Sequence, residues 1–245
     1  MKRRVSPLSQ RANETDHCSL EEKREILGSL PLFVDLARAE ITGVCALFHD
    51  RGYDPGQPVY LAGQAAARLY VVASGKVKLV RAGPGEQNLL IEMLGNGDYF
   101  GSLPRVGEDT YSDGAIAHVH SCILGIDAGD FHSILSKFPS VSLRLVEILA
   151  ERLRRAHEQQ EILGSYAVER RIAFTLLRLA RKFGEKRRAD TLIQLPLSRE
   201  DLGEMAGTMT ESASRMVSRL SREGIIHTGR RWIAVADIDR LSALI

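Results

Sequence analysis

Seven polar side chains within ten residues carry the clearest chemistry of this chain: Thr210, Glu211, Ser212, Ser214, Arg215, Ser218 and Arg219. Ala213, Met216, Val217 and Leu220 are interleaved among them at helical spacing. On a helix those four face inward and leave Glu211, Ser212, Ser214, Arg215, Ser218 and Arg219 outside. Short hydroxyls with one carboxylate and two guanidiniums near a helix start suit contact with base edges and phosphates of duplex DNA.

Such a helix needs a partner to hold it. Ser198 is placed to cap the free N–H groups of a preceding helix, with Asp201 in its first turn. Leu202, Met205 and Ala206 give that helix an apolar stripe. Gly207-Thr208 then breaks it with a residue able to take positive φ, and Thr210 is placed to cap the second helix. Two short helices with a glycine turn occur in many all-helical domains, so this pair alone is not diagnostic. The sequel Glu223 to Val235 narrows the class: it reads as helix stop, short strand, Thr-Gly turn and second strand, a wing behind the recognition helix. Asp237 caps a terminal helix running to Ile245.

At 245 residues the chain has room for two modest domains with real cores. Its net charge of +2 hides an asymmetry: Tyr166 to Ile245 holds 15 Lys/Arg against 10 Asp/Glu, a net of +5, and the rest carries −3. A basic C-terminal part on an acidic body suits a DNA-binding domain carried by a sensor. No stretch reaches the apolar length of a membrane span, and the polar start lacks the apolar core of a signal peptide, so a cytoplasmic protein with no membrane partner is expected. The three cysteines, Cys18, Cys45 and Cys122, are few and far apart, which argues against a disulfide framework.

Residues 1–18 read as a flexible arm. Helices are expected over Ser19–Gly28 and Ala37–Phe48. From Asp50 short apolar runs alternate with Gly and Pro: 59–61, 69–72, 77–80, 89–91, 115–117 and 122–126, the pattern of a β-roll or barrel. Ala128–Phe138 is expected as a helix stopped by Pro139, completing a sensor domain over 19–138. A long helix over 139–164 follows. Ser142, Val146, Leu149, Leu153, Ala156, Gln160 and Leu163 fall alternately four and three apart in it, a heptad seam. We expect a parallel homodimer through Val146, Leu149, Leu153, Ala156, Gln160 and Leu163, against the alternative of a helix packed on its own roll. Residues 165–245 then form a winged helix-turn-helix domain: a helix over Tyr166–Phe183, a basic loop at Gly184–Ala189, a strand at Leu192–Leu195 and the motif above. The class is α+β.

Roll, dimer helix and winged helix-turn-helix, in this order and at these lengths, resemble the CRP/FNR family of bacterial transcription regulators. The text from Tyr53 to Tyr60, Leu69 to Leu79 and Leu94 to Gly101 is similar to the glycine-punctuated strands of a cyclic-nucleotide-binding-type roll. Thr210-Glu211-Ser212-Ala213-Ser214-Arg215 resembles the E-x-x-S-R signature of the FNR type. The resemblance implies an inverted repeat with a TTGA or TGTGA half-site, and Ser214 points to the TTGA branch. Thr210, Glu211, Ser214 and Arg215 then face bases, while Ser198, Arg199, Ser212, Ser218 and Arg219 serve phosphates. The chemistry is consistent: Arg donates twice to guanine, Glu accepts from cytosine and Ser touches a thymine edge. Thr210 departs from the residues usual there, which leaves the outermost base pair open.

Cyclic-nucleotide binders of this fold hold ribose with Glu and phosphate with Arg. Here the corresponding text is Phe100-Gly101-Ser102-Leu103 and Tyr111-Ser112-Asp113-Gly114, with Ser102 at the Glu position and Tyr111 at the Arg position. Losing the phosphate's cation argues against cyclic AMP. Arg105 substitutes only if the loop changes register. Gly101, Ser102, Leu103, Tyr111 and Ser112 are the candidate lining of a pocket for an unidentified small-molecule effector. Three scattered cysteines without Cys-x-x-Cys argue against an iron–sulfur cluster. Haem needs only one axial His; His118 and His120 are expected on one strand face, and His17, His49, His132 and His157 stand alone, so haem stays open and no cofactor is assigned. No Ser/His/Asp or Cys/His set and no phosphate loop supports an enzyme. The expectation is a homodimeric activator that recruits RNA polymerase through exposed loops such as 185–188. The alternative is a ligand-binding module that regulates a protein partner.

Overall fold

Alternation along two strands organises the N-terminal half. β3 (Arg68–Ser74) sends Leu69, Val71 and Ala73 to one face and Val72 to the other; β8 (Ser121–Asp127) does the same with Cys122, Leu124 and Ile126 against Ile123. Both faces are covered, so these strands read as unbroken apolar runs. The computed structural model describes residues 7–8, 18–83, 88–102, 109–187 and 189–245.

Two antiparallel four-stranded sheets make the roll. One has the order β1 (His49–Tyr53), β8, β3, β6 (Tyr99–Gly101); the other has β2 (Pro58–Tyr60), β7 (Gly114–Ala117), β4 (Val77–Ala82), β5 (Asn88–Leu94). Tyr53, Tyr60, Val72, Val77, Leu79, Leu94, Phe100, Ala115, Ala117 and Ile123 close one core drawn from both sheets. On the other face of the first sheet lie α1 (Leu20–Ser29), α2 (Arg38–Cys45), α3 (Ala128–Lys137) and the start of α4 (Pro139–Ser165). They contribute Leu27, Ile41, Val44, Phe131, Ile134 and Val141 to a second core. Ser19 caps α1 in a reciprocal box with Glu22. Pro139 opens α4, where its missing N–H costs nothing.

Apolar runs did not disclose β1. It is the polar edge strand His49-Asp50-Arg51-Gly52-Tyr53, which buries only Tyr53 and pairs with β8 from His49↔Gly125 to Tyr53↔Ser121. α2 ends at Cys45, short of the expected Phe48, with Ala46 as its C-cap and a turn leading into β1 at His49. His118 and His120 lie in the bend between β7 and β8 and not on a strand face, since β7 stops at Ala117.

The division into compact units falls between Arg155 and Ala156, inside α4. In the C-terminal unit α5 (Val168–Phe183) buries Ile172, Ala173, Leu176, Leu177, Leu179, Ala180 and Phe183. Against it pack α6 (Arg199–Met205), α7 (Thr210–Arg222), α8 (Ile238–Ser242) and β10 (Asp190–Ile193). The sheet order is β11 (Ile226–Gly229), β12 (Trp232–Val235), β10, β9 (Gly184–Arg187). Gly184–Arg187, expected in a loop, is therefore a strand, paired from Gly184↔Ile193 to Arg187↔Asp190. Its charged, exposed side chains suit an edge and give no apolar period; Arg188 lies outside the described residues. No described helix is long and apolar enough to cross a membrane.

Candidate nucleic-acid interface and sensor interior

Three buried side chains, Ala213, Val217 and Leu220, fix the rotation of α7. That rotation leaves Thr210, Glu211 and Arg215 exposed and Ser212 and Ser214 half-exposed on the opposite side. Ser198 caps α6 reciprocally with Asp201, accepting from the Asp201 N–H at 3.0 Å. The turn between the helices depends on Gly207 at φ +59°, where an added Cβ would lie 3.1 Å from Leu163 Cδ2 and 3.3 Å from an Arg171 guanidinium nitrogen. That guanidinium donates to the Gly207 carbonyl at 2.8 Å, so α5 and the end of α4 brace the turn.

The cap of α7 differs from expectation. Thr210 is the first helical residue, and Met209, 72 % exposed, sits at the N-cap with no side-chain bond. The hydroxyl that spacing assigned to capping is therefore free to face outward, together with an apolar side chain.

Partners separate the arginines. Arg215 makes only a 3.4 Å contact with Ser212 Oγ, and no ion pair involves it among the described residues. Arg219 pairs with Glu223 at 2.8 Å and Glu169 at 3.2 Å, and the Glu223 hydrogen bond leads in holding its guanidinium above its ordinary pKa. Arg199 donates to Thr228 Oγ1 at 2.8 Å in the wing, and burial lowers its pKa. Ser198 is committed to its cap, and Ser218 Oγ donates to the Ser214 carbonyl. Of the expected phosphate contacts, Ser198, Arg199, Ser218 and Arg219 thus have partners within the fold, and Ser212 faces Arg215. Sequence reasoning missed the wing tip. Gly229 pairs with Trp232, so the turn is Arg230-Arg231 and not Thr-Gly, and Arg231 takes φ +59°. Both arginines are exposed. Two successive cations at a hairpin tip were the available signal.

Along α4 the seam residues are open. Val146 is 64 %, Leu149 47 %, Leu153 58 % and Leu163 38 % exposed, and Ala156 and Gln160 are exposed as well.

Inside the roll, Tyr60, Tyr70, Phe100 and Tyr111 stack, with Tyr60 and Tyr111 centroids 3.8 Å apart. The Tyr111 hydroxyl accepts from the Arg68 N–H at 3.1 Å, and Tyr60 donates to Asp113 at 3.0 Å. Burial pushes the Tyr60 hydroxyl and the Asp113 carboxyl upward. Gly101, at φ +94°, leaves no space for a Cβ, which would lie 2.7 Å from the Arg68 carbonyl. Gly101 and Tyr111 therefore meet at Arg68, whereas Ser112 faces out and binds Arg81 through its carbonyl and hydroxyl. Leu103 and Arg105 lie outside the described residues, as does His17. Among the described residues, the Tyr111 ring stands at the position where the resemblance expects a phosphate-binding arginine, with the Asp113 carboxyl on one side and the Arg81 guanidinium on Ser112 on the other. No described His belongs to this core, and no described group of three His, Cys, Asp or Glu is placed to hold a metal ion.

The family model for a cyclic nucleotide-binding domain matches residues 50–138, and that for a Crp-like helix-turn-helix domain matches 170–244. The cyclic AMP receptor protein of Thermus thermophilus is 31 % identical over 207 residues, covering 84 % of this chain and 93 % of the relative. A CRP-like cAMP-activated global transcriptional regulator of Mycobacterium tuberculosis is 27 % identical over 220 residues, covering 89 % and 97 %. Among solved structures, FixK2 of Bradyrhizobium japonicum shares the fold with a TM-score of 0.72 at 23 % identity, covering 80 % of this chain and 96 % of that one.

Proposed function

This chain belongs to the CRP/FNR family of transcription regulators, and from that premise we propose that it works as a homodimer reading an inverted repeat of TTGA-type half-sites. The observation that carries the reading is the outer face of α7, where Arg215 has no ion-pair partner among the described residues and lies one turn beyond Glu211. Arg215 reads guanine, Glu211 accepts from the paired cytosine, and Ser214 and Thr210 meet the flanking edges. Arg230 and Arg231, exposed at the wing tip, add to the phosphate contacts of Ser198, Arg199, Ser212, Ser218 and Arg219.

The apolar seam of α4, covered by a second copy, pairs the two recognition helices about a two-fold axis, as a palindrome requires. Leu163, at the end of that seam, also touches the Gly207 turn, which gives the dimer contact a mechanical route to α7. The roll supplies the controlling signal, and its ring-filled interior supports an effector other than cyclic AMP. The protein acts in the cytoplasm and activates by engaging RNA polymerase.

A mobility shift with a TTGA palindrome tests the reading. Wild-type protein is expected to bind it in preference to scrambled duplex, and Glu211→Ala with Arg215→Ala to abolish that preference. Undiminished preference in the double variant would remove the base-reading assignment.

A further inference from the structure

Cys18 and Cys122 are 104 residues apart in sequence, yet their sulfurs lie 2.8 Å apart. Neither thiol has a part in reading DNA or in the roll's ring stack. Cys122 is buried in β8, on the face covered by helices. Cys18 is half-buried and immediately precedes Ser19, the cap of α1. Its backbone N–H donates to Asp50 Oδ2 at 3.0 Å, and Asp50 in turn pairs with Lys23 of α1. The chain at residue 18 is therefore held over the sheet by β1 and α1 independently of the sulfurs. A disulfide has its sulfurs at about 2.05 Å, so closure asks for a movement of less than about 1 Å.

We propose that Cys18 and Cys122 are an oxidisable thiol pair that closes to an intramolecular disulfide, stapling the segment before α1 to the sensor sheet. The co-reactant is a small disulfide of the glutathione class. The Cys18 thiolate attacks one of its sulfurs and releases one glutathione thiol; Cys122 then attacks the mixed disulfide at Cys18 Sγ and releases the second. Two protein thiols lose two protons and two electrons, and the small disulfide gains them. Burial pushes both protein thiols upward, so the exchange is slow, and Cys18, the less buried, is its entry point. Because β8 runs directly into α3 and α3 into α4, the staple sits at the root of the path that leads out of the roll. Cys45, buried in α2, is the internal control.

The test uses the full chain incubated with oxidised glutathione, blocked with iodoacetamide and digested without reduction. The expected result is a linked peptide pair joining Cys18 to Cys122 within one chain, with Cys45 alkylated once the protein is unfolded. Closing a long loop stabilises the folded state, so the oxidised chain should melt several degrees higher than the reduced chain. That shift should vanish in Cys18→Ser. This is the informative variant, because Cys122→Ser puts a hydroxyl into an apolar core. Cys18 and Cys122 carrying separate adducts without a link, a link between two chains, or an undiminished melting shift in Cys18→Ser would each overturn the proposal.

Discussion

Arg215 and Arg219 are one helical turn apart with the same chemistry, and they differ in their partners. Glu223 and Glu169 pair with the exposed Arg219, whereas no ion pair involves Arg215 among the described residues. Arg215→Ala is expected to lower affinity for the palindrome by about 1–3 kcal/mol, roughly 5- to 150-fold, and to relax preference at one base pair. Arg219→Ala should change affinity far less; equilibrium titrations of both variants check the contrast. Residue types and spacing made the α7 face legible in sequence. The pairing with Glu169, 50 positions away, was not legible, because no local pattern encodes it. A second expectation concerns Asp113, whose carboxyl is raised chiefly by burial despite the Tyr60 bond. A raised folded-state pKa means that stability is fully present below the unfolded value and is lost as pH rises through the folded one. Asp113→Asn should therefore melt like wild type at low pH and progressively above it as pH increases, in parallel thermal scans.

Elements place those residues, and their ends are where the placement is decided. Ser198→Ala removes the cap of α6 and should cost about 1 kcal/mol in chemical denaturation of the whole chain. Gly207→Ala is more severe: it forces a side chain to φ +59° against Leu163 and Arg171, with about 1–2 kcal/mol for the backbone alone and a displaced recognition helix besides. The Ser198 cap, the Gly207 turn and the long α4 were readable from spacing, since each is a local signal. The α7 cap, β1, β9 and the wing tip were not. Met209 has no capping chemistry, β1 and β9 are polar edges without apolar period, and the hairpin closes on Arg230-Arg231 although Gly229 stands one residue earlier. In each case pairing or packing with a distant segment outweighed the local preference.

At the scale of the whole molecule, the exposed apolar seam of α4 is the feature that the proposed dimer has to cover. Val146, Leu149 and Leu153 expose apolar surface at heptad spacing, the pattern on which the proposed homodimer rests. Leu153→Glu should therefore dissociate the dimer, read as a halved mass in sedimentation, and should lower affinity for the palindrome while leaving the melting of the roll intact. The family and the order of domains were legible from sequence because glycine-punctuated strands and a helix-turn-helix are serial, local patterns. The ring stack of Tyr60, Tyr70, Phe100 and Tyr111 was not, because it assembles from four separate strands and loops. The most direct measurement is a binding isotherm for full-length protein on a duplex with two TTGA half-sites against one with a single half-site scrambled. Two chains per intact duplex and at least a 100-fold loss on the scrambled one are expected, each mismatched pair costing about 1–3 kcal/mol. Equal affinity for the two duplexes, or one chain bound to the intact site, would contradict paired recognition helices.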